Sequence, residues 1–272
     1  MRDVRTILVR GLPARPIKTG SSTLDYSVLL LIAAGAFLFS GAIKGLTGIG
    51  LPTAAIALMT LFLDPRTAIA LVMFPMIGSN AWQVFRSGHL WRTARLYAVF
   101  AVVLLVGVAA TTFFTKDTSD RALLAVLGVV ILIFVAVSWK GMVPPLPERH
   151  DRKAQFGFGL MAGIIGGMTA GWGAPLAMYL ATKRVDKDEF VRATGFLIFV
   201  GSLPLCIAYA QLGFLTGLLA GASAIMLIPT IAGFSMGEVL RKKLSVSGFR
   251  NALLIVFVFL GLNLLRRAIW YA

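Results

Sequence analysis

The chain has 272 residues, 58% of them hydrophobic and 14% charged, with a mean hydropathy of +0.87. An average soluble domain is about 25% charged, so this composition excludes one and points to a protein of the bilayer. The net charge of +15 would suit a nucleic-acid binder, but the basic residues fall in an N-terminal tail and between apolar blocks, as membrane orientation places them, and nucleic acid is set aside as a partner.

Residues 1–25 read as a basic tail: Arg2, Arg5, Arg10, Arg15 and Lys18 face the acids Asp3 and Asp25, and Pro13 and Pro16 oppose a long helix. A cleaved leader is rejected, because cutting after the following apolar run would remove the helix that leads into the first glycine motif. That motif is Gly45-Leu46-Thr47-Gly48-Ile49-Gly50-Leu51-Pro52. After it come a short apolar segment to Leu63, the turn Asp64-Pro65-Arg66, and blocks over 67–85, 96–114 and 122–139, each near the ~20 residues that cross a hydrocarbon core. Residues 141–154, with Pro144, Pro145 and Pro147, form the connection to a second half. There the order recurs: an apolar run over 156–166, the motif Gly167-Met168-Thr169-Ala170-Gly171-Trp172-Gly173-Ala174-Pro175, a segment to Thr182, a charged turn over 183–192, and blocks over 193–211 and 214–236. Pro52 to Gly88 is 36 positions and Pro175 to Gly213 is 38, so the halves 26–140 and 155–272 agree within a two-residue insertion. The expected fold is all-α: a polytopic integral membrane protein of 8–10 segments in two homologous repeats, each with a short broken helix. Eight segments make the repeats parallel and ten make them inverted, and counting Lys and Arg in the loops does not choose between them.

Gly costs roughly 1 kcal/mol and Pro about 3 kcal/mol relative to Ala inside a helix. Backbone freed by such breaks survives in a membrane only within protein or beside a watery cavity. Pro52 and Pro175 suit the first turn of short helices whose unpaired amides point into the break, a setting for an anion's oxygens. Gly48, Gly50, Gly171 and Gly173 then offer amides, and Thr47 and Thr169 hydroxyls; the competing reading is that these glycines only let helices approach closely. Lys44 precedes the first break in an otherwise uncharged stretch and complements an anion, or else snorkels to water. Asn80 and Gln83 share a helix face that continues to Arg86 and either line a pathway or bond neighbouring helices. Trp172 stacks on a ligand or fills space left by glycines. Arg192 is an entrance charge or the i,i+4 partner of Asp188, the structural role being preferred.

All 11 acids lie in the tail, loops or block ends, which leaves no buried carboxylate for a cation site. His89 and His150 are far apart in sequence, and neither a metal helix motif, a phosphate loop nor a nucleophile elbow is present. Cys206, the single cysteine, excludes an intrachain disulfide. No enzyme, cofactor or metal is expected. Spacings such as Gly159 with Gly163 serve association between chains or packing within one, so a homo-oligomer stays open.

With these residues in view the chain resembles the TauE/SafE family of membrane transport proteins, the sulfite exporters, over nearly all of 26–268. The resemblance rests on Gly45 to Pro52, on Asn80-Ala81-Trp82-Gln83 before Gly88, on Gly163 to Pro175 followed by Met178-Tyr179, and on Phe190-Val191-Arg192-Ala193-Thr194. It implies movement of a small anion such as sulfite, a sulfonate or a related organosulfur acid through a bacterial inner membrane, without ATP hydrolysis. Gly48-Ile49-Gly50 departs from the longer glycine runs of many members. Alternating access around the two breaks is the expected mechanism, and a non-transporting membrane scaffold or accessory subunit is the alternative.

Overall fold

The structure, a computed structural model, describes residues 26–114, 116–140, 145–243 and 246–270; the basic tail lies outside them. The regular elements are helices: α1 (Tyr26–Thr47), α2 (Leu51–Met59), α3 (Pro65–Ser87), α4 (Leu90–Leu96), α5 (Ala98–Phe114), α6 (Asp120–Lys140), α7 (Asp151–Thr169), α8 (Gly173–Thr182), α9 (Lys187–Gln211), α10 (Gly217–Lys243) and α11 (Val246–Trp270). Among the described residues α1, α3, α9 and α10 are long and apolar enough to cross a membrane, and α4 with α5 reaches that length and apolarity only as a pair broken by a 78° bend.

Local chemistry explains the element starts. Asp64 caps α3 by accepting from the Thr67 amide at 2.9 Å, and Pro65 occupies the first helical position, where no donor is needed. Asp186 caps α9 through the amides of Asp188 and Glu189, at 2.9 and 2.8 Å. The charged turn read over 183–192 is therefore half helix. Inside α3, Pro75 has no N–H for the carbonyl of Leu71, four residues earlier. Ser223 of α10 repairs the gap: its hydroxyl donates to Leu71 O at 2.8 Å and accepts from the Phe74 amide at 3.0 Å.

Glycines set the closest helix contacts. On α1, Gly41 and Gly45 lie against the backbone of Thr230 and Phe234 on α10, while Gly233 and Gly237 lie against Leu38 and Ala42. The matching positions ascend together, so α1 and α10 run in the same direction. The pair α5 and α7 repeats this, with Gly159 on Phe100, Gly163 on Gly107 and Gly167 on Val108 and Thr111. Gly159 and Gly163 thus pack within the chain, where small residues let backbones touch.

These contacts interlock the halves. Early-half α1 packs on late-half α10 and late-half α7 on early-half α5; likewise α2 meets α11, α8 meets α6, and α3 meets α9. Because Gln83 near the end of α3 bonds to Val191 near the start of α9, while Arg66 at the start of α3 stacks over Phe214 beyond the end of α9, these two helices are antiparallel. Each short helix turns back. Met59, the last residue of α2, is followed within six residues by Pro65 at the Arg66 end of the molecule, and α8 ends where Tyr179 donates to Asp151 at the start of α7. Hairpin α1–α2 therefore enters from the Arg66 end and hairpin α7–α8 from the Arg192 end. The two halves run in opposite directions.

Candidate functional site

The tips of the two hairpins meet inside the bundle. At the first, Gly48 and Gly50 adopt φ of 84° and 96°, left-handed backbone that favours glycine and allows α1 to stop and α2 to start within three residues. The Thr47 hydroxyl lies 2.9 Å from the Ile43 carbonyl, 2.7 Å from that of Ile49 and 3.3 Å from the Ile49 amide. The second tip uses the same device: the Thr169 hydroxyl donates to Ile165 O at 2.8 Å and accepts from the Gly171 amide at 3.2 Å. Ala170 takes the left-handed position there, with φ of 55°. Both threonine hydroxyls are engaged with backbone, closing ends that would otherwise be unsatisfied.

Pro52 is the second residue of α2 and Pro175 the third of α8. Where they face each other, a Cβ placed on Gly173 would lie 3.7 Å from Thr53 Oγ1, an ordinary contact distance. The glycines of the α1–α10 and α5–α7 seams leave no such room. Gly171 faces Leu127 and Val130 of α6, and Gly50 faces Ile43 and Phe257.

Lys44 is 1% exposed. It does not snorkel: the ammonium donates to Asn80 Oδ1, and Asn80 Nδ2 donates to Met76 O at 2.7 Å. The Phe234 ring centroid is 6.0 Å from Lys44 Nζ. An ammonium has three N–H donors. Among the described residues its ion-pair partners include no carboxylate, so the charge rests on one neutral amide. Three residues along the same face, Gln83 Nε2 donates to Val191 O at 2.6 Å and lies 3.4 Å from Gly48 O, while its Oε1 is buried without a partner among the described residues. At the other tip the Trp172 indole packs into the space left by Gly166 and Gly201, and its buried Nε1 has no acceptor among the described residues. It fills the glycine gap and also carries an unspent donor.

One expectation is corrected. Arg192 pairs with Glu189, at 2.9 Å and one helical turn away, and not with Asp188; the Asp188 amide is held by the Asp186 cap, and the three-residue spacing brings Glu189 under the guanidinium. Arg86, three residues beyond Gln83, forms an ion pair with Glu238 of α10 at 2.8 Å.

Sequence reasoning missed several partners. Thr53 follows Pro52 directly and was within reach of the motif. Thr194, whose hydroxyl donates to Phe190 O at 2.7 Å and sits 3.4 Å from Gly48 O, is contributed by the other half of the chain. A polar cluster at the Arg192 end joins elements distant in sequence: Lys183 Nζ is 3.0 Å from Asp151 Oδ2 and 5.9 Å from the ring centroids of both Tyr97 and Tyr179. Gln155 ties this cluster to the Leu96 carbonyl at 3.0 Å. Burial raises the Asp151 carboxyl, but hydrogen bonds from Gln155, Lys183 and Tyr179 outweigh it and hold the group below its ordinary value.

Lys44, which has no carboxylate partner among the described residues, and the two helix starts that approach at Thr53 and Gly173 are donors of the kind that suit an anion's oxygens, whereas the Trp172 indole lies apart from them against Gly166. The family model described as Sulfite exporter TauE/SafE matches residues 32–264. No curated protein and no solved structure matches the chain.

Proposed function

The chain belongs to the sulfite exporter TauE/SafE family, membrane transporters and not enzymes, and on that premise we propose that it is a secondary exporter of a small oxyanion such as sulfite, a sulfonate or a related organosulfur acid. The observation that carries this reading is Lys44, buried and, among the described residues, bonded to Asn80 and to no carboxylate. A buried charge left without a counter-ion is strongly destabilising, and a bound anion supplies that counter-ion. The anion sits between the starts of α2 and α8, with the Gly173 amide on one side and Lys44 and the Gly50 amide on the other, while the Gly48 and Gly171 amides close the tips on Lys44 O and Thr169 Oγ1, Gln83 holds the Val191 carbonyl, and Trp172 packs behind its tip against Gly166. Thr47 and Thr169 hold the tips in shape, and Arg192 with Glu189 steadies the start of α9. Hairpins entering from opposite ends provide the two surfaces that rock against each other as the site opens alternately.

The glycines divide by role, which favours a site over a scaffold. Those of the α1–α10 and α5–α7 seams have no room for a methyl group, whereas Gly173 faces open distance toward Thr53. Orientation follows from charge. Against Arg66, Lys116, Arg121, Arg266 and Arg267 at the Arg66 end, where the chain with Arg2, Arg5, Arg10, Arg15 and Lys18 leads into α1, the described residues Arg86, Arg92, Arg95, Arg149, Arg152, Lys153, Lys183, Arg184, Lys187, Arg192, Arg241, Lys242 and Lys243 fall at the Arg192 end of the fold. That end is cytoplasmic by the positive-inside rule, in the inner membrane of a bacterium.

Thermal unfolding of the purified protein against sulfite, sulfate, thiosulfate, sulfoacetate, taurine and simple carboxylates tests the proposal. A ligand at 100 times its dissociation constant stabilises the folded state by about 2.7 kcal/mol. One anion should shift the wild type and fail to shift Lys44→Met. A shift given only by cations or neutral solutes would overturn the anion reading.

A further inference from the structure

We propose that the elbow between α4 and α5 is a binding site for the headgroup of an anionic phospholipid, separate from the transport path. The elbow forms an open concavity of about 640 Å³ lined by Trp91, Arg92, Arg95 and Leu96. The 78° bend at Tyr97 sets α4 across the direction of α5, so that when α5 crosses the bilayer α4 lies along its surface. Arg92 and Arg95 stand three residues apart on one face of α4. Both are exposed, and among the described residues neither makes an ion pair with a carboxylate; Asp186 is an acid on which the Arg92 charge acts, without pairing with it.

Two further features choose a lipid over a free anion. Trp91 is 79% exposed and Leu96 41% exposed, beside the guanidinium groups on the same short helix. A soluble phosphate would satisfy the charge and leave this apolar surface in water. A phospholipid covers both, its phosphodiester accepting paired N–H bonds from the guanidinium fork and its glycerol and upper acyl carbons lying on the indole and leucine. Tryptophan at the headgroup level is the usual anchor of such a helix. The elbow is fixed from behind, since Gln155 of α7 donates to Leu96 O at 3.0 Å and accepts from the Phe100 amide at 3.2 Å, so the concavity is held open whether or not a lipid fills it.

The test is native mass spectrometry of the detergent-purified full chain titrated with phosphatidylglycerol, phosphatidylcholine or inorganic phosphate. Wild type should retain phosphatidylglycerol at one copy per chain, about tenfold in preference to phosphatidylcholine, and the double variant R92Q/R95Q should lose that preference. The variant R241Q/K242Q, which removes two basic residues at the same end of the fold, should keep it. Equal retention of both lipids, unchanged preference in R92Q/R95Q, equal loss in R241Q/K242Q, or displacement of the lipid by millimolar phosphate would each overturn the proposal. Because Arg92 and Arg95 are exposed and outside the tip residues, R92Q/R95Q should unfold at the wild-type temperature and keep its anion-induced shift, which separates failure here from failure of the transport reading. Should R92Q/R95Q unfold early, R95Q alone is titrated in its place, and unchanged lipid preference in a stable R95Q counts against the site.

Discussion

Lys44 and Gly173 make opposite demands on a substitution. Replacing Lys44 by Met removes a charge held by a single neutral amide and keeps most of the side-chain volume, and exchanging a buried ion for an apolar residue of similar size is often neutral or stabilising. The variant is therefore expected to unfold no earlier than wild type while losing anion-induced stabilisation, as differential scanning fluorimetry would show. Gly173→Ala adds a methyl group at ordinary contact distance from Thr53 without demanding left-handed backbone. Folded protein should be recovered in normal yield with anion transport into proteoliposomes reduced; full transport would mean that the space between the tips is not the path. Gly50, at φ 96°, cannot be used in this way, because any side chain there strains the tip itself.

At the scale of the element, the α3 proline and the α1–α10 seam are the places where one atom decides stability. Without the Ser223 hydroxyl the Leu71 carbonyl freed by Pro75 loses its partner in a buried setting, and a polar group left so costs about 1–3 kcal/mol. Ser223→Ala should lower stability by about that amount in a detergent unfolding titration, and Ser223→Thr should restore part of it. On the seam, a methyl group at Gly237 would overlap the Ala42 backbone, which no side-chain movement relieves. Gly237→Ala should cost about 1–3 kcal/mol or more through overpacking, and lower the yield of folded protein before any transport assay is reached.

For the whole molecule, the ends of the bundle are held by polar groups drawn from both halves, and these give a pH signature. The Asp151 carboxyl is lowered from 3.8 in the folded chain, so its contribution is present above that value and is lost as pH falls through the lower folded one. Thermal stability should hold from neutral pH to about 5 and decline in the acid range below 3.8, and Asp151→Asn should flatten that part of the decline in a pH series of melting curves. Arg66 bonds Asp120 at 2.5 Å and also the Thr118 carbonyl at the opposite end. A cysteine placed at Arg95 in a background lacking Cys206 should react with an impermeant thiol reagent only from the cytoplasmic face, and one at Lys116 only from the other; the reverse pattern would invert the orientation.

Composition alone set this chain in a membrane, because its apolar blocks exceed what a soluble core can bury, and the Gly-Pro breaks marked both hairpin tips, because those residue types act through the local backbone. The caps at Asp64 and Asp186 and the starts of α3 and α9 are equally local. Other features arose only when distant segments met: the Lys44–Asn80 contact spans 36 positions, Gln83 reaches Val191 across 108, and Thr194 approaches Gly48 across 146. The opposite entry of the two hairpins also belongs to the tertiary structure. Loop charges left eight and ten segments in balance, whereas α2 and α8, too short to cross alone, turn back because α3 and α9 begin at the ends from which α1 and α7 came.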